Sequence, residues 1–195
     1  MSKLLFLSTA VLGLSSTTLF ADGHTQDYSE SGYFIFNTLL FLIGGFLVMW
    51  MAAGFAMLET GLVRSKNAST QLLKNVALFS LASIAYFIVG FNLMYPGDGW
   101  IINGWMGGFS LTGLEPAGVG ADGVDLTYAS VGSDFFFQLM FCAATASIVS
   151  GTVAERVKLW PFLIFTIVLT GIFYPISASW QWGGGWLSEA GFSDF

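Results

Sequence analysis

The sequence predicts an all-α integral membrane protein: an N-terminal signal peptide followed by four transmembrane helices. Three observations predict it. Hydrophobic residues make up 55% of the 195-residue chain and charged residues only 9%, against roughly a quarter in soluble domains. One core of this size cannot hide so much apolar surface, so the bilayer is its natural solvent. The apolar residues also fall into four long runs, each near or above the ~20 residues that cross a hydrocarbon core. Finally, the few basic residues gather in two short loops between those runs. Helix is the form the runs must take, because lipid offers no partner to an open sheet edge.

Residues 1–21 read as the signal peptide. Lys3 supplies the positive start, 4–19 is apolar with small residues, and Phe20-Ala21 precedes the polar Asp22-Gly23. Residues 22–195 form one domain, with helices expected at 33–63, 75–95, 135–154 and 159–182. The first is interrupted only by Glu59, and the second carries no charge. Pro161 falls in the first turn of the fourth helix, where its missing N–H is harmless; Pro175 lies inside that helix and predicts a kink. The stretch 97–134 is Gly-rich and acidic but contains Trp, Phe and Leu, and is expected to pack over the outer mouth.

Charge sets the orientation. Arg64, Lys66 and Lys74 follow the first helix, and Arg156 and Lys158 lie between the third and fourth; apart from Lys3 these are all the basic residues. The positive-inside rule places both clusters in the cytoplasm and the mature N-terminus outside. The opposite segments carry acids, Asp98, Glu115, Asp122, Asp125 and Asp134 among them, with no Lys or Arg. Trp100, Trp105, Trp180, Trp182 and Trp186 fall on that outer side, where an interfacial aromatic belt belongs. An unpaired carboxylate at membrane depth is costly. Glu59 is therefore expected near the cytoplasmic interface, paired with Arg64 or Lys66, with a place on a polar route as the alternative. Glu155, next to Arg156, reads as an interface charge of small energetic weight.

Several function classes are excluded. The net charge of -6 comes with no basic patch, which argues against nucleic acid as a partner. Cys142 is the single cysteine and sits in an apolar run, so it reads as a buried, inert thiol and not as part of a disulfide framework. His24 is the single histidine and lies far from Cys142, which leaves no metal-ligand spacing. With no His pair and no intramembrane Ser-His couple, the chain reads as no enzyme, and no cofactor is implied.

Particular stretches resemble the ammonium transporter family, the Amt/Mep/Rh group. Residues 54–67, GFAMLETGLVRSKN, resemble the end of that family's first helix and its first cytoplasmic loop. Phe137-Gln138-Leu139-Met140-Phe141 resembles the start of its third helix, and Ala154-Glu155-Arg156-Val157-Lys158 its second cytoplasmic loop. Trp182-Gly183-Gly184-Gly185-Trp186-Leu187 resembles the outer end of its fourth helix, and Asp194-Phe195 the start of its fifth. The order and spacing of these motifs make the combination specific over residues 33–195.

The resemblance implies the first part of an inverted-repeat transporter fold of about eleven helices, whose substrate path lies between two repeats. The chain is accordingly expected to be part of a longer transporter, whose pore histidines would lie beyond Phe195. It implies ammonium or ammonia as substrate, the inner membrane as location, a homotrimer in full-length form and a cytoplasmic regulatory protein as a further partner. It also implies an outer ammonium site. Trp182, Phe137 and Phe141 would present ring faces to the cation. Asp194 would support the site as an N-cap and as a favourable charge. Two other readings follow from the same family: an Rh-type ammonia or carbon dioxide channel, and a non-transporting ammonium sensor. A cation-recruiting Trp182 argues against the neutral gas.

Overall fold

A computed structural model describes residues 32–111 and 128–193 in full, and residues 2–31 as helical backbone alone. The first helix, α1 (Ser2–Leu62), contains the apolar span Gly32–Leu62. A 3-10 turn (Ser65–Asn67) reverses the chain into α2 (Ala68–Ala85), which runs through a wide π turn (Tyr86–Gly90) into α3 (Phe91–Met94). These pieces make a single second span, Ser65–Met94. A two-stranded antiparallel hairpin follows, β1 (Trp100–Ile102) and β2 (Met106–Gly107), pairing Trp100 with Gly107 and Ile102 with Met106. It is a small departure from the all-α expectation, set in the segment that was expected to cover the outer mouth.

The third span is α4 (Val131–Thr152), whose start is fixed by the Ser130 side chain accepting from the Ser133 N–H at 3.3 Å. The fourth span, Leu159–Ser179, consists of α5 (Leu159–Val168), a second π turn (Leu169–Phe173) and α6 (Tyr174–Ser179). A short α7 (Trp186–Glu189) closes the described chain.

Where a kink was expected at Pro175, the structure has that second π turn just before it. The Tyr174 N–H donates to the Leu169 carbonyl, one residue further back than in an α-helix. Pro175 has no N–H to give. The Thr170 carbonyl is thereby left without a backbone donor, and the Cys142 thiol supplies one at 3.4 Å. Cys142 is buried, as its sequence setting suggested.

The core sits between α4 and the second and fourth spans. Leu78, Ala146, Phe162 and Leu163 form the part nearer the basic loops, and Tyr86, Phe91, Met94 and Cys142 the part nearer the hairpin; the two ends are called inner and outer after the orientation expected from the charge pattern. α1 lies at the edge, where Gly44 and Gly45 let it settle on Phe137 and Phe136 of α4. Phe36, Leu40, Trp50 and Met57 on α1 are left exposed, an apolar surface suited to lipid. The chain is a multi-pass membrane protein.

Candidate functional site

At the outer end, the fourth span stops at Ser179, so Trp182 stands in the turn beyond it and not in the helix. Its N–H donates to the Ala178 carbonyl at 2.9 Å, and Gly183 and Gly185 both donate to the Ser179 carbonyl at 3.1 Å. Gly184 adopts φ +73, the left-handed region that favours glycine. A Cβ on Gly183 would run into the Met94 carbonyl, and one on Gly185 would lie 2.7 Å from the Gly104 carbonyl. The three glycines thus seat the turn against the end of α3 and against the hairpin. Trp182 packs on the outer core of Tyr86, Phe91, Met94 and Cys142.

Three other tryptophans are not separate belt residues. Trp105 and Trp186 stack at 4.9 Å, each lies 5.8 Å from Trp180, and Trp180 Nε1 donates to the Trp105 carbonyl at 2.8 Å. The cluster ties the hairpin to the end of the fourth span. Sequence separation hid this, because Trp105 and Trp180 are 75 positions apart.

The structure brings Phe137 and Phe141 together, edge to face at 5.0 Å. Phe137 stacks on Phe41 of α1 at 5.1 Å, so it also serves to pack α1. Phe141 is 38% exposed and offers its ring to whatever lies beside α4. Trp182 belongs to a different face of α4: Cys142, the next residue after Phe141, packs in the Trp182 cluster. Among the described residues no ring contact joins Trp182 to Phe137 or Phe141. Asp194 lies outside the described residues.

Two expectations at the inner end are corrected. Glu59 does not pair with Arg64 or Lys66. It is buried, 2% exposed, and its Oε2 accepts from Gln71, from Asn75 at 2.7 Å and from Ser150 at 2.9 Å, with Lys74 Nζ at 3.8 Å. Lys74 is not a loop charge either. It is buried, donates to the Ser150 carbonyl at 3.0 Å and stands 5.0 Å from the Phe162 ring centre. The second span therefore begins ten residues before the expected 75, because Gln71, Lys74 and Asn75 all find buried partners.

Glu155 is an exposed interface charge, as expected, but its partners come from the first loop and not from Arg156. It accepts from the Asn67 amide at 2.6 Å, from the Arg64 N–H at 3.0 Å and from the Arg64 guanidinium at 3.2 Å. Those bonds, the Asn67 amide foremost, hold its carboxyl below the usual glutamate range. Its backbone is left-handed, φ 60, which lets the carboxylate reach back across to the first loop. The clamp joins the RSKN and AER stretches and puts both basic loops at the same end of the bundle.

This geometry has counterparts among known proteins. The Ammonium Transporter Family profile matches residues 39–195. The chain belongs to the ammonium transporter family. It is 44% identical over 151 residues to the ammonium transporter Amt2 of Archaeoglobus fulgidus, a match taking in 77% of this chain and 30% of that protein. To the ammonium transporter of Bacillus subtilis it is 33% identical over 161 residues, or 82% and 38% of the two chains. Among solved structures, one named Sensor Amt Protein superposes with a TM-score of 0.70 at 32% identity, covering 87% of this chain and 40% of that one. Mep2 of Saccharomyces cerevisiae shares the fold, with a TM-score of 0.66 at 24% identity over 82% of this chain and 34% of that one. The chain spans about a third of the length of the family members it matches.

Within the family frame, the motifs that carried the resemblance have physical jobs. The triple glycine builds the turn that seats Trp182, and the two loop motifs form the clamp. Two buried polar groups were not picked out from sequence as site residues. They are the hub around Glu59 and, at the outer end, Asp134 with Tyr95 and Gln138. Long polar spacing on helices with no charge excess is a weak signal; it becomes legible only once the helices are packed.

Proposed function

We propose that the chain forms the outer recruiting site and part of the path of a transporter that moves ammonium, or ammonia with a proton, across the inner membrane. The observation that carries this is the seat of Trp182 beyond the fourth span in a member of this family. Trp182 is held beyond the fourth span by a glycine turn, and Phe141 stands with its ring exposed on α4. An indole face holds a cation better than other rings do, and a partly wet one contributes on the order of 1 kcal/mol. Asp194, next to the expected fifth helix, adds negative charge at the same mouth. The basic loops are cytoplasmic, residues 1–21 act as a signal peptide, and the mature protein assembles as a homotrimer open to a cytoplasmic regulator. These points rest on the charge pattern and the family resemblance.

The test is uptake of labelled methylammonium by cells that lack their own ammonium transport and express the complete reading frame. Trp182→Leu is expected to raise the half-saturation concentration about 5- to 30-fold, with near-normal expression. Phe141→Ala should alter selectivity and leak together, because a ring beside a path both blocks and binds. Kinetics for Trp182→Leu that overlay the parent at equal protein density would remove the indole from the site and favour a neutral gas as the conducted species.

A further inference from the structure

Asp134 is a buried acid at the outer end of the bundle, 6% exposed, in the first turn of α4. Its Oδ1 accepts from the Tyr95 hydroxyl at 3.3 Å, and that hydroxyl accepts from Gln138 Nε2 at 3.2 Å. Burial first, and the Asp134 carboxylate second, push the Tyr95 phenol far above its ordinary range, so it stays a donor. The amino end of α4 adds a favourable dipole. These contacts ease the burial of a carboxylate but bring no positive charge. Among the described residues the ion pairs are Arg64 with Glu155 and Lys74 with Glu59, both at the inner end. The other buried acid, Glu59, has Lys74 at 3.8 Å. Among the described residues Asp134 has no cation partner. A buried carboxylate without a counter-ion is costly. This one sits where Tyr95 and Phe135 pack on the same cluster as Trp182.

We propose that Asp134 is the fixed counter-charge of the outer site, drawing a small hydrogen-bonding monocation such as ammonium to the Trp182 side of α4. The inference rests on the reading of the chain as carrying an outer cation site. It adds to the ring faces the full charge that they lack, and it assigns a role to a residue that the sequence placed only among the outer acids.

The test is cation binding by the full chain, purified in nanodiscs. Tryptophan fluorescence is followed against methylammonium chloride, with sodium chloride holding ionic strength constant. The wild type is expected to saturate. Asp134→Asn keeps an acceptor for Tyr95 but loses the charge, and should saturate at roughly tenfold higher concentration. Tyr95→Phe removes a hydrogen bond and leaves the carboxylate charged, and should bind at least as tightly as the wild type. Gln138→Lys puts an internal ammonium one helical turn from Asp134 and should abolish the signal; it decides the matter if Asp134→Asn fails to fold. A wild type without a saturable signal overturns the proposal. So does unaltered binding in Asp134→Asn or Gln138→Lys, or equal weakening by Asp134→Asn and Tyr95→Phe, which would mark a structural role. Uptake is measured separately: cation binding without uptake upholds Asp134 and removes the transport reading instead.

Discussion

Three helices meet at the carboxylate of Glu59, and Glu59→Ala removes every one of its contacts at once. Oε2 accepts from Gln71, Asn75 and Ser150, and Lys74 Nζ stands at 3.8 Å. All four partners are buried, so water cannot readily replace the lost acceptor. Breaking a buried ion pair from one side leaves an uncompensated charge and costs about 3–5 kcal/mol. That sum contains the unmade hydrogen bonds of Gln71, Asn75 and Ser150, each about 1 kcal/mol or more when no other partner is within reach. The expected loss for Glu59→Ala is therefore about 3–5 kcal/mol of unfolding free energy. Glu59→Gln combined with Lys74→Met should recover a large part of the loss caused by Glu59→Gln alone, because the orphaned ammonium is gone. Reversible unfolding in mixed detergent–SDS micelles, followed by tryptophan fluorescence, measures all of these. A cost below about 1 kcal/mol for Glu59→Ala, or strict additivity of Glu59→Gln and Lys74→Met, would refute the reasoning.

Gly184→Ala forces a Cβ onto a φ of +73 and should cost about 1–2 kcal/mol, read in the same unfolding assay; Gly183→Ala, which drives a Cβ into the Met94 carbonyl, should also shift Trp182 fluorescence. The Glu155 clamp is pH-dependent with a definite sign. Its folded carboxyl lies below the usual 4.5, so its stabilisation is present above that value and disappears as pH falls through the folded value. Hydrogen exchange at residues 64–68 should accelerate in that acid range, and Glu155→Gln should show fast exchange with no such transition. A single cysteine at Ser69 should resist a membrane-impermeant reagent in intact cells while one at Ile102 reacts; the reverse pattern would invert the orientation drawn from the basic loops.

The spans were legible in the sequence because the bilayer imposes a length and a polarity on each helix separately, and neither depends on a neighbour. The same locality made the outer glycine turn and the basic loops readable as motifs. Pro175 announced an irregular helix for an equally local reason: a missing N–H must be absorbed within a turn or so. What lay beyond reach was pairing across helices. Arg64 is close to Glu59 in sequence, yet it sits past the end of α1 and meets Glu155, 91 residues away, while Glu59 turns inward to Lys74, Gln71 and Ser150. A helix position names a face but not what stands opposite it. The partner is chosen when α1, α2 and α4 pack, and only then does burial make each polar group find a donor or acceptor. The candidate site divides in the same way. Phe137 and Phe141 are one helical turn apart, so their contact follows from spacing alone. By contrast, the seat of Trp182 among Tyr86, Phe91 and Cys142, and the burial of Asp134 beside Tyr95, exist only because three separate spans close around one outer core.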